Sequence, residues 1–347
     1  MSQSSPRTRL LALACAALSL NPRGGVAAAA GTTLRDVVTA DYTPYAENAE
    51  LLRRMASPLT RLAEERTLAA SGATLARRPL DVASERFLLF QPAAQPPPRG
   101  FALLVFVPPW QDARLPPGWA MVLERFGVVF ITAAQSGNDE NPIGRRVPLA
   151  LLAAAEARRR FAIDPEHVYV GGFSGGSRIA LRLALAYPDV FRGAILDAGS
   201  DPIGTAQLPL PPRELLAQFQ AQTRLIYITG ERDPEHLADD AQSIRSLHQW
   251  CVQNAEEAVQ PRVQHEIALP GALSRALERL LARRPAEPGK LAGCRAALDA
   301  ELSARLREVE ELLGRGATRE AAERLRQIDE RFGGLAAPRS VELAGRL

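Results

Sequence analysis

Histidine and cysteine are scarce, at four and three in 347 residues. Any chemistry that needs an imidazole can therefore be followed to His167, His236, His248 and His265. Long apolar runs are lacking too: the stretch from Leu10 to Leu20 is too short to span a bilayer, so no integral membrane segment is expected. With 46% hydrophobic residues, the chain is excluded from the disordered class and can bury one large core, or a core with a small appended domain.

Residues 1–30 read as a secretory signal. Arg7 and Arg9 precede the apolar run, and Ala28 and Ala30 flank a cut before Gly31. This predicts a secreted or periplasmic protein, with Cys15 as an apolar filler of the run rather than a lipidation site. Removing the segment leaves 39 basic and 39 acidic residues, so the isoelectric point near 9.0 gives no argument for nucleic acid or an anionic membrane. It also leaves Cys251 and Cys294 as an even pair, either bridged in an oxidising compartment or carried as two buried thiols.

From Thr43 to Ala70 the apolar positions recur at helical spacing, giving an N-terminal helical segment over 31–79. A β-like region follows at Leu80 to Phe90. Beyond it, short apolar runs such as Phe101 to Val107 and Gly127 to Ala133 alternate with helical patterns up to a last strand read at Val263 to Leu269. That alternation predicts an α/β domain over 80–288, with a mostly parallel central sheet, helices on both faces, and function at the carboxyl ends of the strands. From 289 to 347 the pattern is helical throughout. Leu298, Leu302, Leu306, Val309 and Leu313 form one stripe; Ala321, Leu325, Ile328 and Phe332 form another. They read as a hairpin with Thr318 capping its second helix and Gly333-Gly334 ending it. Such a hairpin packs on the main domain, or on a second copy or another protein partner.

The chemistry centres on Gly172-Phe173-Ser174-Gly175-Gly176, between a strand and a helix. Flanking glycines let strand and helix crowd around a strained serine, and the Gly175 N–H faces the place where an oxyanion forms. In this context the sequence resembles the α/β-hydrolases, and within them the secreted polyhydroxybutyrate-depolymerase-like and feruloyl-type esterases. The stretches "AIDPEHVYVGGFSGGSRIALRLALAYPDVFRGAILDAGSDP" and "LIYITGERDP" carry the resemblance, which covers about residues 85 to 285. It implies Ser174 as nucleophile and Asp233 as acid, acting on small-molecule or polymeric esters, with no metal or cofactor. Asp197, at the end of the preceding strand, is a second candidate acid but reads more as a helix or turn cap with Ser200 and Asp201. Where the family has His-Gly after its early strand, this chain has Pro108-Pro109, which moves the second oxyanion donor to Trp110 or Gln111.

The family's histidine follows its last strand, where Ser274 stands here. His167 reads as an exposed loop residue and His248 as a packing residue. His265 reads as lying inside the last strand, with four residues still to run before the turn. His236, three residues after Asp233, is left as the candidate base. Two readings follow: a serine esterase with a displaced base, or a hydrolase-fold protein that has lost turnover and binds a ligand or partner through the same cleft.

Overall fold

The computed structural model describes residues 31–282 and 287–347; the expected signal segment lies outside them. The central sheet has eight strands in the order β1-β2-β4-β3-β5-β6-β7-β8. These are β1 Thr32–Val37, β2 Phe87–Gln91, β3 Phe101–Val107, β4 Val128–Ala133, β5 Ile163–Phe173, β6 Gly193–Asp197, β7 Arg224–Gly230 and β8 Ala255–Gln260. Only β2 breaks the parallel direction, pairing antiparallel with both β1 and β4.

Alternation along β3 shows how the sheet divides the core. Phe101, Leu103, Val105 and Val107 join the apolar cluster of one face, while Ala102, Leu104 and Phe106 join that of the other. The first face is covered by α1 (Asn48–Met55), α4 (Val147–Arg160), α5 (Gly175–Ala186) and α6 (Arg213–Gln222). The second is covered by α3 (Trp119–Phe126) and α8 (Pro270–Leu281). Strands buried on both sides need unbroken apolar runs, which is why β3 and β4 are legible in sequence.

Three readings need correction. The segment 31–79 is not wholly helical: β1 precedes α1 and α2 (Pro58–Ser71), and it is an exposed edge strand with little apolar signal. The β-like region at Leu80 becomes a strand only at Phe87. The stretch Val263 to Leu269 is not a strand at all; the last strand is β8, and Pro261 ends it because proline offers no N–H to a ladder.

The C-terminal hairpin forms from α9 (Pro288–Gly314) and α10 (Thr318–Phe332), followed by the short α11 (Arg339–Ala344). Thr318 is itself the first helical residue, so Ala317 takes the cap position. Both apolar stripes join the first face of the core. Gly333 and Gly334 lie so close to the backbone of Leu210 and Pro211 that a methyl group on either would collide with it. Trp250 meets Phe332 edge to face at 5.6 Å, and Asp329 accepts hydrogen bonds from the Ser57 hydroxyl and the Leu59 N–H. Cys251 and Cys294 are bridged, with Cα atoms 5.8 Å apart, fastening α9 to the end of α7 (Pro234–Gln249). The hairpin's apolar faces are thus covered by its own chain rather than offered to a second copy.

Candidate active site

Ser174 occupies the turn between β5 and α5 with φ 55° and ψ −124°, a strained conformation for a residue with a Cβ, costing on the order of 1–3 kcal/mol. What holds it there is crowding of backbone. A methyl at Gly172 would strike the Gly176 carbonyl, and one at Gly176 would strike the Val107 carbonyl. The Ser174 N–H donates to the Asp197 carbonyl at 2.8 Å, and its own carbonyl accepts from Ser177 at 2.9 Å. The serine is therefore lifted above the sheet between two elements that leave it no other course.

Asp233 lies just past β7 and caps the N-terminus of α7. Its side chain is only 7% exposed, and both oxygens are engaged. Oδ1 is 2.8 Å from His236 Nδ1 and Oδ2 is 2.8 Å from His265 Nδ1. Burial pushes the carboxyl's pKa up, but the hydrogen bonds from the two imidazoles outweigh it and hold the group below its ordinary value.

His265 Nε2 is 3.0 Å from Ser174 Oγ. A continuous chain thus runs from hydroxyl through imidazole to buried carboxylate. This overturns the reading of the histidines: His265 is the ring on the serine, and His236 is hydrogen-bonded to the other side of the acid. The reason is the misplaced last strand. Residues 261–269 form a loop that doubles back over the carboxyl edge of the sheet. Its anchors are the Arg232 N–H on the Val263 carbonyl at 2.8 Å, the Ala268 N–H on Asp197 Oδ2 at 2.6 Å, the Leu269 N–H on Gln260 Oε1 at 2.9 Å, and Trp119 Nε1 on the Ala268 carbonyl at 2.9 Å. The signal in the sequence was Pro261, which with Pro270 brackets a loop around His265.

The other histidines and acids also differ from expectation. His248 is exposed in the last turn of α7 rather than packed, and His167 lies within β5, half-buried, with Nδ1 3.0 Å from Asp164. Ser274 sits in α8, in a segment that follows the histidine loop. Asp197 caps no turn; it is fully buried at the end of β6 and accepts the Ala268 N–H. Burial drives its pKa well above the ordinary carboxylate range, more than the Ala268 N–H can offset.

Beside the serine, the Gly175 and Trp110 backbone N–H groups have no acceptor among the described residues. The Trp110 ring packs on Phe106 and Phe173 at 6.2 and 6.4 Å, with the Arg114 guanidinium 4.0 Å above it. Asn138, not singled out in the sequence, lies directly over Gly175, and its N–H donates to the Pro109 carbonyl at 3.1 Å. Arg146 braces this side. Its buried guanidinium donates to the Ser136 carbonyl at 2.9 Å and the Pro108 carbonyl at 3.0 Å, joining the loops that carry Asn138 and Trp110. Burial lowers its pKa to about 10, with partial compensation from Glu140. Asp233, His236 and His265 bring donor atoms within 4.8 Å of one another, and the carboxylate is hydrogen-bonded to Nδ1 of each ring.

Comparisons with known proteins find similarity over parts of the chain. The chain is 43% identical over 72 residues to "Putative esterase NocK" of Nocardia uniformis subsp. tsuyamanensis, covering 21% of this chain and 18% of that protein. It is 29% identical over 120 residues to a poly(3-hydroxybutyrate) depolymerase of Ralstonia pickettii, covering 30% of this chain and 24% of the relative. The chain thus spans less than a quarter of either curated relative. Among solved structures, FphF, a fluorophosphonate-binding serine hydrolase of Staphylococcus aureus, aligns over 57% of this chain and 93% of its own, with 13% identity and a TM-score of 0.47. No family model matches. The fold is α/β, a mostly parallel eight-stranded sheet with helices on both sides.

Proposed function

We propose that the protein is an exported serine hydrolase that cleaves carboxylic esters, small or polymeric. The observation that carries this reading is the unbroken hydrogen-bond chain Ser174–His265–Asp233. In it His265 Nε2 takes the proton from Ser174 Oγ as the oxygen attacks the ester carbonyl, and returns it to the departing alcohol. Asp233 keeps the other proton on Nδ1 and stabilises the imidazolium, a task suited to its depressed pKa. The free N–H groups of Gly175 and Trp110 support an oxyanion site despite Pro108-Pro109. A second cycle in which water replaces the alcohol frees the acid.

The alternative, a chain that has lost turnover, is favoured by Pro108-Pro109 and by Ser274 where the histidine is expected; the place of His265 beside Ser174 supports the hydrolase reading over it. Export is supported by the signal-like segment and by the Cys251–Cys294 bridge, which suits an oxidising compartment. No helix among the described residues is long and apolar enough to cross a membrane.

The test is labelling by a fluorophosphonate probe, in which Ser174 Oγ displaces fluoride from phosphorus. The parent protein should label rapidly, with no labelling of Ser174→Ala and at least a thousandfold slower labelling of His265→Ala, roughly the loss that follows removal of a triad member. An unlabelled parent, or a His265→Ala variant labelled at the parental rate, would overturn the assignment.

A further inference from the structure

The second imidazole on the acid is the feature that ester hydrolysis by three residues leaves unused. We propose that His236 is a positioning residue for the reaction, holding the carboxylate and the ring of the general base in the one arrangement that activates Ser174. The proposal rests on the hydrolase reading above and deepens it.

A carboxylate with one occupied oxygen is free to turn about its terminal torsion, which is broad. Asp233 is denied that freedom. His236 Nδ1 donates to Oδ1 at 2.8 Å, so only Oδ2 is presented to His265 Nδ1, also at 2.8 Å. His236 can do this because it stands three residues into the helix that Asp233 caps, where its own N–H is also directed at Oδ1, at 3.5 Å. The acid and its clamp thus share one rigid helix start.

His265 has the opposite problem. It lies on a loop and is 38% exposed, so burial alone does not fix its plane. Two rings do. His236 stacks on it at 4.2 Å and 18° between planes, and Phe173, the residue before the nucleophile, stacks on it at 4.9 Å and 30°. The base is held between the clamp of its acid and the neighbour of its serine.

Both rings donate from Nδ1 to Asp233, which turns His265 Nε2 to the Ser174 hydroxyl as the acceptor of its proton.

The test uses three variants of the full chain with a p-nitrophenyl ester. His236→Phe keeps a stacking ring without a donor, His236→Gln keeps a donor without the ring, and His236→Ala keeps neither. His236→Phe and His236→Ala should lose about tenfold to a hundredfold in kcat with KM unchanged, as expected when a catalytic group is held about an ångström out of place. His236→Gln should recover most of that loss. A His236→Phe variant with parental kcat would overturn the proposal. So would equal losses in Gln and Phe variants that track a lower unfolding midpoint, which would mark His236 as packing. A readout without turnover separates this from the hydrolase reading. In a Ser174→Ala background, nitrogen-15 NMR should find His265 held as the Nδ1–H tautomer, and that preference lost on adding His236→Phe. If the tautomer is unchanged, the clamp is refuted whether or not any variant hydrolyses esters.

Discussion

Asp197 offers the sharpest separation of what a buried carboxyl does here. It lies at the junction of the two halves of the site: its carbonyl accepts the Ser174 N–H and its side chain accepts the Ala268 N–H, three residues beyond His265. Replacing it with alanine strands that N–H in the interior, costing about 1–3 kcal/mol of local stability. Trp119 on the Ala268 carbonyl and Gln260 on the Leu269 N–H keep the loop attached, so the expected result is a shift of His265 rather than unfolding. A displacement on the order of 1 Å is enough to lower kcat by about a hundredfold. Asparagine at the same place should behave differently. Burial disfavours the charged form of Asp197, and Asp197→Asn places a neutral group there while keeping an oxygen for Ala268. It should retain kcat within about threefold while Asp197→Ala does not. Both variants would be assayed for kcat and KM on a p-nitrophenyl ester, with thermal unfolding to confirm the fold. If asparagine is as damaging as alanine, the site needs an ionised carboxylate there and the reasoning from burial is wrong; if alanine keeps parental kcat, the loop is not pinned through Asp197.

Two further outcomes follow from groups away from the serine. Asp240 is buried and takes hydrogen bonds from Ser200 and Thr229, yet burial dominates and raises its pKa to about 6. The folded protein then keeps a proton that the unfolded chain releases near pH 4, so this group makes stability fall as pH rises from about 4 to 6, by on the order of 3 kcal/mol, and adds no further slope above. Asp197, raised in the same direction, adds to the loss. Chemical denaturation across that range should show the decline, and Asp240→Asn should flatten it; a stability that climbs from pH 4 to 6 in the parent and not in the variant would contradict the sign. The Cys251–Cys294 bridge spans 43 residues, for which loop closure in the unfolded chain gives about 4 kcal/mol. Cys294→Ser should lower unfolding free energy by about that amount, and a reductant should bring the parent down to the variant's level; indifference of the parent to reductant would remove the bridge as the hairpin's fastening.

How far the sequence reveals the fold follows from what each strand buries. β3, β4 and β5 are covered on both faces, so their apolar runs announce them, and Gly172, Ser174 and Gly176 announce the turn that follows because only glycine fits the backbone contacts there. The edges carry no such signal. β1 is exposed along nearly its whole length, and β8, Ala255–Gln260, is half charged and polar. An edge strand has one side in water and reads as loop by composition. Missing β8 shifted the last strand onto the apolar-looking residues after Pro261, and that single displacement carried His265 from a loop into a sheet.

The consequence for the site is unequal because its members depend on sequence in different ways. Ser174 and Asp233 are set by their immediate neighbours, one by the elbow and the other by its place at the first turn of α7, so a short stretch of residues suffices to mark each. His265 is set by contacts 32 residues away at Asp233, 91 away at Ser174 and, through Ala268, 71 away at Asp197. Nothing within its own loop distinguishes it from a surface histidine. The same separation explains why His236 drew the assignment of base: proximity in sequence to Asp233 is real and yields a hydrogen bond, but the helix that brings the two together also directs the ring to the carboxylate. What discriminates the two imidazoles is Ser174: Asp233 offers one oxygen to the ring at i+3 and the other to a ring arriving from elsewhere in the chain, and only the second of these rings also reaches the serine hydroxyl.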